Sequence, residues 1–444
     1  MTRGSALLDG RVMWNVNSTA RGGGVAEMLS SLVPYFRGVG IDCRWAVIEG
    51  DPDFFEVTKR IHNNLHGELG DDGDLGAEEH AVYERTLSDN AAELLELISR
   101  DDLVLLHDPQ TAGLATAVCK AGAIPVWRCH VGLDTPNHVA RRAWEFLRPY
   151  VLQADAFLFS RKVFAWEGLP DEKIWIIAPS IDAFSAKNQE LSEETTVAIL
   201  SAANLLDVKA DAPATFTRLD GSTAHIERQA NLVDEGGPPP SSAKLVVQVS
   251  RWDRLKDPEG VIEGFARYVA GSSDAHLVVA GPDVEGVDDD PEGAAVLSQS
   301  LKLWRELPAD IRPRVHLVAL PMEDVEENAA MVNALQRRSD VIVQKSLAEG
   351  FGLTVAEAMW KGKPLVTSSV GGIQEQVTDG VNGLLIKNPT DLASFGEAVL
   401  RLLKDPEWAN RLGQEARATV ARNFLHPRQM VQHVEVLEQV IKRK

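Results

Sequence analysis

Short apolar runs alternate with longer stretches of helical periodicity along almost the whole chain. In the first half the candidate strands are Arg11–Val16, Trp45–Ile48, Asp102–His107, Ile124–His130, Ala156–Ser160 and Ile174–Ala178. A second series comprises Lys244–Ser250, His276–Ala280, Val315–Leu320, Val341–Gln344 and Pro364–Ser368. Nearly continuous apolar runs mark strands buried on both faces, and helical stretches between them favour parallel pairing. Two such series predict two doubly wound α/β domains, one over residues 1–180 and one over 181–425, with the seam near Ala178–Asp182. Between about 185 and 243 the pattern is weaker and includes the punctuated stretch Asp234-Glu-Gly-Gly-Pro-Pro-Pro240, which predicts an irregular or partly helical excursion. Over 426–444, Met430, Val434, Leu437 and Val440 fall near helical spacing and predict a closing helix whose docking place is open.

Bulk properties narrow the functional classes. At 444 residues the chain exceeds what one core usually serves, which agrees with two domains. A formal charge of −20 argues against a broad nucleic-acid surface, while leaving room for a small basic pocket. Three cysteines, Cys43, Cys119 and Cys129, have no zinc spacing and fit reduced thiols. The first ten residues hold no apolar signal core, and no run reaches membrane-spanning length, so a soluble cytoplasmic protein is expected. Homo-oligomerisation is open.

Four segments at predicted strand ends are candidates for chemistry. The strand Asp340–Gln344 leads into Glu349-Gly-Phe-Gly-Leu-Thr-Val-Ala-Glu357, an order of strand, glycine loop and helix start. Free backbone N–H groups and a helix dipole there suit a phosphate or sugar hydroxyl, and the two acids can face different parts of one ligand. Gly22-Gly-Gly24 follows the first strand and permits close approach of an anion, or simply forms a tight turn; it is neither a dinucleotide fingerprint nor a Walker loop. Arg251 and Lys256 lie just past the strand ending at Ser250, where they could hold phosphate oxygens or be solvated loop charges paired to Asp253 and Asp257. His130 and His107 each end a strand, and nothing in their spacing chooses between them as a group for sugar hydroxyls or proton transfer. The acid runs Asp71–Asp74 and Asp288–Asp290 lack the remaining spacing of a calcium loop and read as solvated loops; no metal site is expected. The chain holds no Gly-x-Ser-x-Gly elbow and no His-Glu-x-x-His.

Together, Gly22–Gly24, His130, Arg251 with Lys256, and Glu349-x7-Glu357 resemble the site set of retaining glycosyltransferases of the GT-B architecture, family four, along essentially the whole chain. Within it, Asn15–Leu29, Asp53–Gly67, His107–Gln110, Val247–Pro258 and Gln344–Trp360 are similar to the trehalose glycosyltransferring synthases, a group itself similar to certain trehalose phosphorylases. That resemblance implies two Rossmann-like domains facing across a cleft, with the nucleotide-sugar held mainly by the C-terminal one. It implies that Arg251 and Lys256 bind and neutralise the departing diphosphate, that Gly23 and Gly24 approach the same phosphates, that Glu349 holds donor-sugar hydroxyls and that Glu357 holds the ribose. Gly350, Phe351, Gly352, Leu353 and Thr354 would support sugar and phosphate at the helix start, Leu320 would lie near the base, and His130 near the transferred hexose. The acceptor contacts are left open; Trp14, Asn17 and Asp134 are neighbours of these segments to be tested for that role.

The implied activity is a retaining, metal-independent, cofactor-free hexosyl transfer from ADP-glucose or UDP-glucose to free glucose, giving trehalose. Breaking a glycosyl–phosphate bond builds negative charge on the diphosphate, and prearranged cations and amides lower that barrier. The two glutamates are not assigned as a glycosidase pair, whose carboxyls must flank one bond about 5 Å apart. A front-face reaction is expected instead, the departing phosphate taking the acceptor proton while domain closure excludes water. Two other readings are a trehalose phosphorylase and a sugar-nucleotide sensor without turnover.

Overall fold

The computed structural model describes residues 2–20, 24–234, 236–284 and 291–443. Gly22, Gly23 and the acid run Asp288–Asp290 therefore lie outside the described residues. The chain divides into two compact units, Met1–Ser180 with Phe424–Lys444, and Ile181–Asn423.

The first unit is built on six parallel strands in the order β2-β1-β3-β4-β5-β6. These are β1 (Met13–Asn17), β2 (Cys43–Val47), β3 (Leu103–His107), β4 (Ile124–Cys129), β5 (Ala156–Phe159) and β6 (Ile174–Ile176). Alternation along the strands feeds two cores, one on each face. Val104 and Leu106 of β3 pack with Phe54, Ile61, Tyr83 and Trp127, whereas Leu103 and Leu105 pack with Leu29, Phe36 and Leu158. The second of these cores also contains Met430, Val436, Leu437 and Val440. The last helix, His426–Arg443, thus belongs to the unit that begins the chain. Its polar positions reinforce the docking: Arg128 Nη1 donates to His433 Nε2 at 2.8 Å, and the His426 ring bonds both Ser180 Oγ and Ser31 Oγ at 2.6 Å.

The second unit carries a seven-stranded sheet and a two-stranded hairpin. The hairpin pairs β7 (Thr215–Thr217) with β8 (Thr223–His225). The sheet runs β15-β14-β13-β10-β11-β12-β9, from β9 (Asn231–Leu232), β10 (Leu245–Val249), β11 (His276–Pro282), β12 (Val315–Leu320), β13 (Val341–Gln344), β14 (Leu365–Ser368) and β15 (Leu384–Ile386). All neighbours are parallel except β9, which adds to β12 antiparallel.

Residues 185–243 are more regular than the sequence pattern predicts. The helix Glu193–Ala202 is capped by Ser192 and sends Ile199 and Leu200 into a core with Leu245, Val247, Met331 and Leu335. Short strands and a short helix of this kind give periodicity too little length to register. Among the described residues no helix is long and apolar enough to cross a membrane.

Candidate functional site

In the second unit the loop after β10 and the loop after β13 are stitched together. Gln248 Nε2, at the end of β10, donates to the Lys256 carbonyl at 2.9 Å, and Leu347 N donates to the Leu255 carbonyl at 2.7 Å. Asp253 Oδ1 accepts from Leu255 N at 2.7 Å and shapes the turn that aims Lys256. Lys256 Nζ then meets Glu349 Oε2 at 2.6 Å, with both side chains largely buried, and Ser346 Oγ donates to the same oxygen at 3.3 Å. Asp257, which the alternative reading offered as a partner for these loop cations, is bound to the fully buried Lys345. Arg251 does pair with Asp253, at 3.2 Å, but its side chain is 70% exposed, so that pair restrains it little. Lys256 and Glu349 thus form one constellation, with Arg251, on the same loop as Lys256, as a solvent-facing cation.

Glu349–Gly352 is held in shape by a turn that sequence reasoning passed over. Gly352 has φ +85°, a left-handed conformation that suits glycine, and the helix Leu353–Trp360 begins immediately after it. Beyond β14, Gly371 and Gly372 press directly on this loop. A Cβ at Gly371 would overlap the Glu349 carbonyl, and one at Gly372 would sit 2.5 Å from Phe351 Cα. Gly372 N donates to the Gly350 carbonyl at 2.9 Å, and Gln376 Nε2 donates to the Phe351 carbonyl at 2.6 Å. A glycine doublet just past a predicted strand was the available signal. Phe351 and Gly352 are buried, while Gly350, Leu353 and Thr354 are half-buried at the helix start.

Glu357, one turn into that helix, is buried at 3% exposure with Lys187 Nζ 3.5 Å from its carboxylate. Leu320 ends β12 with its side chain in the core and its carbonyl accepting from Asp283 N at 2.7 Å, and Met322, two residues on, is exposed.

In the first unit the two candidate histidines turn out to be one feature. His107 closes β3 and His130 follows β4, and their rings stack with centroids 5.4 Å apart. His107 Nε2 lies 3.1 Å from Asn15 Oδ1, an acceptor, which assigns that nitrogen the proton. His107 Nδ1, 3.1 Å from His130 Nε2, is then the acceptor of the pair. His130 is the outer member, donating inward and leaving Nδ1 as an acceptor. Burial, helped by the nearby Arg128 guanidinium, holds both rings well below the ordinary histidine range and hence neutral. Asp108 follows His107 in a left-handed conformation with φ +62° and accepts from His130 N at 2.7 Å. Burial pushes its carboxyl up to about 7, opposed by that backbone bond and by Arg128.

The three proposed acceptor neighbours have protein partners in place. Trp14 is a correction: it sits near the start of β1, the opposite end from His107 and His130, in the core, with its indole N–H 3.3 Å from Asp102. Asn17 ends β1, but its Oδ1 accepts from Trp45 Nε1 at 2.7 Å and its Nδ2 donates to the Thr19 carbonyl at 2.8 Å. Asp134 is ion-paired to the buried Arg161. Gly24 opens the helix Gly24–Gly38, and Gly23 lies outside the described residues. The acids Asp71 and Asp74 serve Arg60, whose guanidinium bonds the Asp71 carboxylate at 2.7 Å and the Asp74 carbonyl at 2.7 Å.

Two doubly wound units with polar constellations beyond their strand ends have the GT-B architecture, and comparison with solved structures agrees with that fold. An α,α-trehalose-phosphate synthase (UDP-forming) from Burkholderia vietnamiensis superposes with a TM-score of 0.70 at 17% identity, covering 97% of this chain and 98% of that one. The family model "Trehalose synthase, N-terminal domain" matches residues 15–166, and "Glycosyl transferases group 1" matches residues 233–419. A trehalose synthase of Pyrococcus horikoshii is 36% identical over 97% of this chain and 90% of its own length. The chain belongs to the trehalose synthase family of glycosyltransferases. A trehalose phosphorylase of Grifola frondosa is more distant, 25% identical over 91% of this chain and 54% of its own length.

Proposed function

We propose that this protein transfers glucose, with retention, from a nucleoside-diphosphate glucose to free glucose, forming trehalose. The observation that carries this reading is the Lys256–Glu349 pair, with Arg251 on the same loop as Lys256 and the amides of Phe351–Leu353 opening the next helix. In this reading the diphosphate is taken up by Arg251, Lys256 and those helix-start amides, which then neutralise the charge that grows on it as the glycosyl bond breaks. Glu349 accepts from hydroxyls of the transferred sugar and orients Lys256 through their hydrogen bond. Glu357, buried beside Lys187, accepts from the ribose hydroxyls. The neutral His130 offers its ring to hydroxyls of the transferred hexose.

The proton of the attacking hydroxyl goes to the departing phosphate oxygen, so no protein carboxylate acts as nucleophile. The family comparison also contains a phosphorylase, which would use related cations for inorganic phosphate. A product assay separates the two. ADP-glucose or UDP-glucose with glucose should give trehalose and the nucleoside diphosphate. Glucose 1-phosphate from trehalose and phosphate, with no trehalose from the first mixture, would overturn the proposal; nucleotide binding without product from either mixture would point to a sensor.

A further inference from the structure

Each member of the Lys256–Glu349 pair is held by a glutamine at a strand end. The adjacent strands β10 and β13 finish on the same spacing, Gln248-Val-Ser250 and Gln344-Lys-Ser346. In β10 the Gln248 amide donates to Ser250 Oγ at 3.2 Å and to the Lys256 carbonyl at 2.9 Å, so it fixes the backbone of the turn that carries the lysine. In β13 the contacts run through side chains to the acid. Gln344 Nε2 donates to Ser346 Oγ at 3.0 Å, and Ser346 Oγ donates to Glu349 Oε2 at 3.3 Å. Ser346 is 0% exposed and Gln344 is 3% exposed.

A serine three residues before an acid can be no more than a local turn contact. Two features here go beyond that. The first is direction. A carboxylate paired to a lysine only accepts, so the single hydroxyl proton of Ser346 points to Glu349, and a hydroxyl lone pair faces the Gln344 amide. Gln344 therefore sets the direction in which Ser346 donates. The second is the oxygen that is used. Lys256 Nζ, at 2.6 Å, and Ser346 Oγ converge on Oε2, and among the described residues no hydrogen bond or ion pair engages Oε1. Two donors on one oxygen restrain rotation of the carboxylate and leave the other oxygen as an acceptor for a ligand.

We propose that Ser346, its proton directed by Gln344, is the positioning residue for Glu349, turning Oε1 toward a hydroxyl of the transferred sugar. This rests on the proposed role of Glu349 toward the donor sugar. Ser346 is fully buried, so its influence passes through Glu349 and is confined to ligands that carry the sugar.

The experiment is calorimetry with ADP, UDP, ADP-glucose and UDP-glucose, without acceptor, on the full chain and on Ser346→Ala, Glu349→Ala and the double variant. Ser346→Ala is expected to weaken the preferred nucleotide-glucose about tenfold, as for loss of one hydrogen bond to a charged group, while the matching nucleoside diphosphate changes less than about twofold. A merely structural role would distort the helix-start loop and weaken both ligands alike. The double variant should bind the nucleotide-glucose no more weakly than Glu349→Ala alone. If Glu349→Ala leaves the ratio of the two affinities unchanged, the reading of Glu349 fails. If that ratio falls in Glu349→Ala but not in Ser346→Ala, or the two losses add, or the diphosphate weakens equally, the inference about Ser346 alone is overturned. Should Ser346→Ala fail to fold, Gln344→Met, which keeps the length and loses the directing amide, is read through the same cycle by the same criteria.

Discussion

The two units place polar groups at the C-terminal ends of parallel strands in opposite electrostatic styles. In the first, His107 and His130 are stacked, desolvated and neutral, and Asp108 beside them titrates near pH 7. In the second, Lys256 meets Glu349 and Lys187 meets Glu357 as opposite charges. The same strand-end geometry thus yields a neutral hydrogen-bonding pair at His107 and His130, where burial and the nearby Arg128 both disfavour the charged ring, and charged pairs where a carboxylate meets a lysine. A sugar presents uncharged hydroxyls and a nucleoside diphosphate presents charge. The contrast between the units matches the contrast between the two halves of the proposed reaction.

The sharpest way to break this comparison is to remove the cations of the second unit. Arg251→Ala or Lys256→Ala is expected to lower kcat on the order of 100-fold or more, as for loss of a group that stabilises charge in the transition state. Lys256→Ala also leaves Glu349 without its 2.6 Å partner, so its effect should extend to the donor KM. Steady-state kinetics with the preferred nucleotide-glucose decide it, and near-normal kcat in both variants would take these residues out of the mechanism.

Much of the second-unit site was legible because its chemistry sits in contiguous motifs at strand ends, and the continuous apolar runs placed those ends. What contiguity does not convey is partnership. Lys256 and Glu349 are 93 residues apart, and nothing local to either says that they meet rather than pairing with nearer acids. Gly371 and Gly372 matter only because of the loop packed on them, so their meaning is tertiary. The closing helix showed its apolar periodicity, yet its docking on the first unit depends on Arg128 and Ser180, far away in sequence. Trp14 was misplaced for a simpler reason: nearness in sequence to a candidate site segment does not reveal that Trp14 sits near the start of its strand, in the core. Strands of two or three residues, such as β9 and β15, fall below any periodicity.

A smaller effect is expected from the neutral pair. His130→Ala should reduce kcat/KM by roughly tenfold to 100-fold, the loss of an oriented hydrogen-bonding group rather than of a charge. His107 acts on substrate only through its bond to His130, so His107→Ala should cost less than His130→Ala. Because neither ring is charged near neutral pH, both deficits should be independent of salt, unlike donor binding at Arg251, which salt screens. Kinetics at low and high ionic strength test the pair, and a salt-dependent His130→Ala deficit would mean that the ring acts as a cation.

The last effect is absent at neutral pH and concerns how the first unit tolerates acid. Burial, with Arg128 beside it, holds His433 down to about 3, whereas an unfolded histidine titrates near 6.5. Above about pH 6.5 neither state binds the proton, and the contribution of His433 to stability is intact. As pH falls from about 6.5 toward 3, the unfolded chain takes up a proton that the folded chain does not, and stability erodes by up to about 1.4 kcal/mol per pH unit. His433→Gln keeps an acceptor for Arg128 but cannot titrate. Its unfolding free energy should therefore fall less steeply between about pH 6 and 4 than that of the parent protein, by up to that slope, while His107 and His130 continue to contribute with the same sign. Urea unfolding at several pH values measures the two slopes, and parallel lines would show that His433 is protonated in the folded helix, with Arg128 turned away from it.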